Sequence, residues 1–452
     1  MERRRLAYTA LISSITLLVI ALSLGSYSLF ASPHMSANTQ ATPALPPNAS
    51  ATSNTQAVMV STSTTVVTPT VTPIGTRTPT ATVKPRVAPP TAAPAPLHNF
   101  AQANKHYEYV FPDGGMFVYD MDNGHRLVKH VILPTTGVRG CVASPSTAML
   151  YLSYGGNGGS HGNGSLLAYN LLTDTVAWTR KFPFGVDSPG ISPNGKVIYM
   201  PDGSQSFDGN VYEISATNGA VISTLNTASG ASTHNTLVNL SGTHMYTGAV
   251  NNNFLFEFNT TTNQLIKRIG PLKNGVRPYT INRAESLAFT TATGFLGFEV
   301  SDINTGKLLY TVPIKGFAAS ASASAPSHGI SLSPDEREVY VIDNSNSYVH
   351  VFDVSGLPAT APRQVADIAL TSMAGLEAPC IYDCQKEGWL EHSRDGRFVY
   401  VGDSGDVIST ATHKIVAHLP ALSIGRKFLE IDWANTTPVF ATNRHGVGYG
   451  HA

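Results

Sequence analysis

The stretch HGISLSPDEREVYVIDNSNSYVHVFDVSG (328–356) decides the fold. It holds short runs rich in Val, Ile, Tyr and Phe, which are separated by SPDER (333–337) and DNSNS (343–347). Runs of this length and composition, bounded by turn-forming residues, are typical of β-strands. Proline and aspartate in the turns pre-set the backbone for a tight reversal. The stretch therefore predicts antiparallel strands joined by short turns, with no room for a helix.

The same arrangement recurs along the chain with one fixed spacing. An aromatic residue follows twelve positions after the residue that heads each first strand, in the pairs Arg139/Tyr151, Asp187/Tyr199, His234/Tyr246, Arg277/Phe289, His328/Tyr340, Gly388/Tyr400 and Phe428/Phe440. Successive aromatics lie 40 to 60 residues apart, a period typical of blades, solenoids or arrays. A second recurring turn, as in DINTGKLLY (302–310), adds a third and a fourth strand to each unit. Four-stranded units repeated around an axis are the blades of a β-propeller.

The seven pairs predict an all-β protein, a seven-bladed β-propeller of four-stranded antiparallel blades. The piece 106–133 carries the later strands of a blade, which we number blade 1, without a matching first strand. The piece 428–450 carries a first and a second strand and then stops. Joining these two pieces in one sheet would close the ring and remove exposed edges. One strand is left over in this count, so eight blades is the alternative.

Segments such as 328–356 and EHSRDGRFVYVGDSGDVISTATHKIVAHLP (391–420) resemble the YVTN-type β-propeller repeat. This repeat occurs in bacterial and archaeal surface proteins and in relatives of the lactonase and quinoprotein-amine-dehydrogenase-like propellers. The resemblance covers about residues 106–450. It implies the fold, whereas the function has to be argued from a site, because propellers host many unrelated activities.

The front of the chain predicts an exported or membrane-anchored protein. Residues 1–31 combine the basic start MERRR with an apolar stretch from Leu6 to Ala31. That stretch is long enough to span a bilayer, so it is a signal-anchor or a cleaved signal peptide. Residues 32–97 are rich in Thr, Pro and Ala and predict a disordered linker. Residues 98–452 are the propeller, which the basic start would place outside the cytoplasm.

Composition and cysteine content agree with an extracytoplasmic protein. Charged residues make up 13% of the chain and the formal net charge is +0, which argues against a nucleic-acid partner. Of the three cysteines, Cys380 and Cys384 lie close together in an insertion before the last complete blade. In an oxidising compartment they could form a disulfide, the alternatives being two free thiols or a metal site with a nearby His or Glu377.

The first strand of each propeller blade lines the central channel, so the residues that head the strands should converge at its mouth. Five of the seven are ionisable: Arg139, Asp187, His234, Arg277 and His328. Arginine presents a planar donor fork to carboxylate or phosphate, so this ring is suited to an anionic or polyhydroxylated ligand. Alternatively, the two histidines and the aspartate hold a metal, or the groups neutralise one another and plug the channel. We predict ligand binding, without assigning a metal or a cofactor.

Blade 7 adds two secondary candidates, Glu391 and His392, inside its first strand. Either residue could act as a general base near the ring. Neighbouring strand residues point to opposite faces, so only one of the two could face the channel. A buried residue held by hydrogen bonds is the alternative for both.

The sequence thus favours a cell-surface or extracytoplasmic binding module whose ligand lies at the channel mouth. The ligand would be a small molecule, a glycan or a protein that docks on a propeller face. Two alternatives remain. One is a propeller enzyme, such as a lactonase-like hydrolase or a quinoprotein-like oxidoreductase, and the other is a structural protein of the cell envelope.

Overall fold

The structure, a computed structural model, describes residues 103–155, 163–227, 230–378 and 384–443. The predicted N-terminal helix and linker lie outside these ranges. Within them the chain forms seven antiparallel β-sheets, one for each predicted blade. The seven-bladed propeller with four-stranded blades is therefore confirmed.

The strands run in chain order through blades 2 to 7. Blades 2 to 4 contain β4 (Val138–Ser144), β5 (Met149–Tyr154), β6 (Ser165–Asn170), β7 (Thr175–Lys181), β8 (Gly190–Ile191), β9 (Val197–Pro201), β10 (Asn210–Ser215), β11 (Val221–Asn226), β12 (Thr233–Val238), β13 (His244–Ala249), β14 (Asn252–Asn259) and β15 (Gln264–Ile269). Blades 5 to 7 contain β16 (Val276–Ile281), β17 (Leu287–Ala292), β18 (Gly297–Asp302), β19 (Lys307–Pro313), β20 (Ile330–Leu332), β21 (Glu338–Asp343), β22 (Tyr348–Asp353), β23 (Arg363–Ala369), β24 (Trp389–His392), β25 (Phe398–Gly402), β26 (Asp406–Ser409) and β27 (Lys414–His418).

Blade 1 joins the two ends of the propeller. Its strands are β1 (Lys105–Val110), β2 (Gly115–Asp120), β3 (Arg126–Ile132), β28 (Phe428–Ala434) and β29 (Thr437–Ala441), in the spatial order β29-β28-β1-β2-β3. The strand left over in the sequence count is β29, which makes this sheet five-stranded. It lies at the end of the sheet opposite β3, and it adds no eighth blade among the described residues. Three short 3-10 helices complete the described elements, Met121–Asn123, Pro145–Thr147 and Leu422–Ile424.

The predicted turns form because their polar side chains hydrogen-bond the local backbone. In SPDER, the Ser333 hydroxyl donates to Asp335, and the same carboxylate accepts the backbone N–H of Arg337. The turn between the third and fourth strands repeats another motif: Asn259 accepts the backbone N–H groups of Thr261 and Thr262. Short polar side chains that accept bonds from the backbone two or three positions on are typical of such turns.

The hydrophobic core is divided among the boundaries between blades. One cluster, for example, joins Leu429 and Tyr109 of blade 1 to Cys141 and Leu152 of blade 2. Another joins Tyr340 of blade 6 to Leu390 and other residues of blade 7. Since both faces of each sheet are covered in this way, the first three strands are largely buried and the fourth is exposed. The repeated aromatic thus serves blade-to-blade packing.

First strands of neighbouring blades contact one another around the ring, as β8 does with β4 and β12, and β20 with β16 and β24. They therefore surround the propeller axis, and the residues that head them meet at one end of it.

Candidate functional site

The site is built by irregularities in three first strands. The pairing register shifts between Val138 and Gly140 in β4, between Thr233 and Thr236 in β12, and between Val276 and Tyr279 in β16. The residues inside these β-bulges include three of the predicted ring, Arg139, His234 and Arg277. A bulge re-aims the side chain that it carries and is often found beside a functional site. The other two ring residues, Asp187 and His328, precede the short strands β8 and β20.

Asp187 links the ring residues of blades 2 and 4. Its Oδ2 accepts a hydrogen bond from Arg139 Nη2 at 3.3 Å and lies 2.8 Å from His234 Nδ1. Burial opposes ionisation of this carboxyl, yet its pKa is lowered, because His234, Arg139 and Lys427 favour the negative charge. All three linked side chains are buried. The structure thus brings together residues that are almost 50 positions apart in sequence.

His328 continues the ring on the other side of His234. The two imidazole centroids are 6.1 Å apart, and His328 Nδ1 donates to the Gly388 carbonyl at 3.1 Å. The pKa of His328 is lowered well below its usual value by burial and by the nearby charges of Arg426, His234 and Arg277. The lowered pKa favours the neutral imidazole, whose Nε2 lies 3.5 Å from Glu387 Oε2.

Arg277 is the least buried of the five predicted residues. Its Nε donates to Thr293 Oγ1 at 3.0 Å, and its charge acts on His328. It therefore lies on the same side of the ring as His328. All five predicted ring residues are joined by contacts or by electrostatic coupling.

The mouth also contains four residues that the sequence pattern did not select: Glu387, Trp389, Arg426 and Lys427. Arg426 Nη1 donates to the Gln385 carbonyl at 2.8 Å and lies 3.3 Å from Glu387 Oε2. Lys427 Nζ is 5.9 Å from the centre of the Trp389 ring, which in turn packs edge-on against His328. Each of the four lies within two positions of Gly388 or Phe428, the two non-ionisable residues among the seven that head the first strands.

The insertion before blade 7 packs on Arg426. Leu376 and Gln385 form an isolated β-bridge, and the Glu377 carboxylate lies 3.6 Å from Arg426 Nε. Burial raises the pKa of Glu377 to about 8, with Arg426 opposing the shift and Asp403 adding to it. Cys384 is disulfide-bonded, whereas the buried Cys141 thiol donates a hydrogen bond to the Phe428 carbonyl at 3.5 Å. Cys380 lies outside the described residues, so its pairing with Cys384 stays a prediction.

Glu391 and His392 lie between blades, in two different boundaries. His392 Nδ1 is 2.8 Å from Ser331 Oγ in blade 6, and burial lowers the pKa of this histidine to about 3. Glu391 is buried and acts electrostatically on Glu108 of blade 1. The structure thus connects His392 to blade 6 and Glu391 to blade 1.

Two residues of the β12 bulge have buried polar atoms without a hydrogen-bond partner among the described residues. They are His234, at Nε2, and Asn235, at both atoms of its side-chain amide. Asn235 also has a positive φ of 33°, which is uncommon for a residue other than glycine. Buried polar groups are usually satisfied, so these three atoms distinguish the β12 bulge from an ordinary strand irregularity.

Within the described ranges, no group of three His, Cys, Asp or Glu side chains is arranged to hold a metal ion. The same residues contain no helix long and apolar enough to cross a membrane, and the predicted anchor at 6–31 lies outside them. No protein-family model matches this chain, and no curated protein matches it either. The resemblance to the YVTN-type repeat therefore stays a prediction.

Proposed function

We propose that this protein is an extracytoplasmic binding module that captures its ligand at the mouth of the propeller channel. The single observation that carries the proposal is the bulge at His234 and Asn235. It interrupts a first strand, it holds a non-glycine residue at positive φ, and it contains three buried polar atoms that have no hydrogen-bond partner within the described part of the chain. Packing alone does not account for such an arrangement, because each unsatisfied buried group destabilises the fold.

The bulges at Arg139 and Arg277 support the same proposal. In each bulge, regular strand pairing is interrupted at the position of an arginine that belongs to the ring. Because arginine and histidine are donors suited to carboxylate, phosphate or hydroxyl oxygens, the ligand class is a small anion or a polyhydroxylated compound. A glycan terminus or an acidic side chain of a protein partner presents the same groups.

The N-terminal sequence supports the proposed location. The basic start, the apolar stretch of 6–31 and the Thr/Pro-rich linker fit a propeller held on a stalk outside the cytoplasmic membrane. The propeller fold itself is a common interaction module.

The test is a binding screen of the purified full-length protein against small carboxylates, sugar phosphates and oligosaccharides, read by calorimetry. For a compound that binds, Arg277→Ala should raise Kd by about tenfold to a hundredfold, since a hydrogen bond to a charged group contributes about 1.5–3 kcal/mol. Far-UV circular dichroism and the unfolding midpoint should stay close to those of the unaltered protein, because Arg277 is only half-buried.

The matched control is Arg363→Ala. This arginine is exposed on the outer strand β23, where it pairs with Asp353. Binding should be unchanged in this variant. If both arginine variants bind as tightly as the unaltered protein, the ligand does not lie at the channel mouth. Turnover of the bound compound, lost in His234→Ala, would instead favour the enzyme alternative.

A further inference from the structure

The ring is closed by the pairing of β1 with β28, and this closing seam carries carboxyl groups that face one another. Glu108 lies directly opposite Glu430 across the strand pair. Their exposed fractions are 1% and 2%, and Asp432, two residues further along the same face of β28, is 1% exposed. Among the described residues, neither Glu108 nor Glu430 forms an ion pair. Glu108 Oε1 also has no hydrogen-bond partner among these described residues.

Several elements packed against the seam add polar or charged groups, and β2 contributes Tyr119, which lies directly opposite Glu108 on the other side of β1. β24 contributes Glu391, and β25 contributes Tyr400, whose hydroxyl lies 2.8 Å from His125 Nε2. The turn between β24 and β25 contributes Arg394, which pairs through Nη1 with Asp432 and donates its backbone N–H to Glu430. From the same turn, the charges of Asp395 and Arg397 act on Tyr400. Arg394 therefore compensates Asp432, while Glu108 and Glu430 face other acids.

Ionisation of both buried carboxyl groups is unfavourable, because they lie opposite one another and neither forms an ion pair among the described residues. Burial raises the pKa of Glu108 well above its usual value, and Glu391 raises it further. Burial likewise raises the pKa of Glu430, with Asp432 and Glu108 adding to the effect. The neutral acids fit the seam better than their anions do.

We propose that the closing seam is a proton-dependent lock on the propeller ring. With Glu108 and Glu430 protonated, β1 and β28 pair and the ring is closed. Loss of these protons places like charges opposite one another across the strand pair, so the two chain ends separate more readily than when both acids are protonated. At the proposed location outside the cytoplasm, the lock would respond to the external pH.

The direction of the pH effect follows from the raised pKa values. Below the pKa of the unfolded carboxyl, near 4.5, both states are protonated and closure is at its strongest. As the pH rises above that value, the opened chain releases a proton that the closed seam retains. The equilibrium constant for opening of the seam then increases about tenfold per pH unit for each retained proton, until the pH reaches the pKa of the closed state.

The experiment is amide hydrogen exchange of the full-length protein at pH 5, 6, 7 and 8, corrected for the intrinsic pH dependence of exchange. The amides of β1 and β28 should open at least about tenfold more often at pH 8 than at pH 5. The amides of β13, in blade 4, should respond much less. Glu108→Gln and Glu430→Gln mimic the protonated acids, so each should reduce the response of the seam.

Glu338→Gln is the matched control, because Glu338 lies on β21 and pairs with His413 in a partly exposed site. It should leave the response of the seam intact. The lock is overturned if β1 and β28 respond no more than β13, or if both glutamine variants keep the full response. Failure of both variants to fold would also overturn it, since glutamine should be tolerated where a neutral acid is.

Discussion

Asp187 accepts hydrogen bonds from two residues that lie 48 and 47 positions away in sequence, Arg139 and His234. The carboxylate stays ionised in a buried position because both partners, together with Lys427, favour its charge. The residue therefore joins blades 2, 3 and 4 at the channel mouth. Its role in the ring is to hold Arg139 and His234 in place, while His234 Nε2 has no hydrogen-bond partner in the ranges that the structure describes.

Replacing Asp187 with Asn should destabilise the protein by about 3 kcal/mol, because the buried Arg139 guanidinium loses its charged partner. The measurement is urea unfolding at pH 7. The contribution of Asp187 should disappear in acid, since its lowered pKa means that its stabilisation is lost as the pH falls. Asp353→Asn, which removes an exposed partner of Arg363, should change the unfolding midpoint very little. Equal effects of the two substitutions would contradict this account of the ring.

At the scale of the element, the repeated aromatic of the second strand connects its blade to the next one. The Tyr151 hydroxyl donates to the Ala216 carbonyl of blade 3, and the Tyr400 hydroxyl lies 2.8 Å from His125 of blade 1. Blade 5 has Phe289 in the same position, so the ring packs there without a hydroxyl. The packing of the aromatic and the hydrogen bond of its hydroxyl can therefore be separated by mutation.

Tyr400→Phe should destabilise the protein by about 1–2 kcal/mol, because it leaves the buried His125 imidazole without its partner. Tyr400→Ala should cost about 3–5 kcal/mol, since the packing between blades 7 and 1 is also lost. Chemical denaturation of both variants measures the difference. Tyr154→Phe is the control, because the Tyr154 hydroxyl makes no hydrogen bond among the described residues, and it should be neutral. A Tyr400→Phe variant as stable as the unaltered protein would show that the hydroxyl contributes nothing.

At the scale of the whole molecule, closure depends on a strand from the C-terminal end. β28 pairs with β1 along the full length of β1, from Lys105 to Val110. Without β28, β1 would present an unpaired edge, and exposed edges promote association between chains. The hydrophobic clusters on both sides of blade 1 also include residues of β28, namely Phe428, Leu429 and Ile431.

A chain that ends at residue 427 should therefore fail to form a stable monomeric propeller and should aggregate. A chain that ends at residue 443 keeps β28 and β29 and should behave like the full-length protein. Size-exclusion chromatography and thermal unfolding distinguish the two. If the shorter chain remained monomeric with an unchanged unfolding midpoint, β28 would not be needed for closure.

The fold could be predicted from the sequence because the repeat is local. Each twelve-residue interval between a strand head and its aromatic spans one turn and two strands, as between His328 and Tyr340. Equal offsets imply equivalent hairpins, and equivalent hairpins stack around one axis. The same regularity predicted that Arg139, Asp187, His234, Arg277 and His328 would meet, and the structure places them together.

Glu387, Arg426 and Lys427 escaped prediction because the twelve-residue spacing selects only one residue at the head of each first strand. Their neighbours Gly388 and Phe428 are the residues at the strand heads instead. No local pattern shows that the side chains next to them turn toward the channel. The closing seam could not be predicted either, since Glu108 and Glu430 lie more than 300 positions apart in sequence.

The sequence by itself indicated the number of blades, the strands within blades 2 to 7 and the ring of residues at their heads, because these depend on contacts between near neighbours along the chain. Only the tertiary structure decided which strand closes the ring, which carboxyl groups become buried opposite one another and which ring side chains contact each other. Those features depend on long-range packing, in which burial and distance set the charge state of each group.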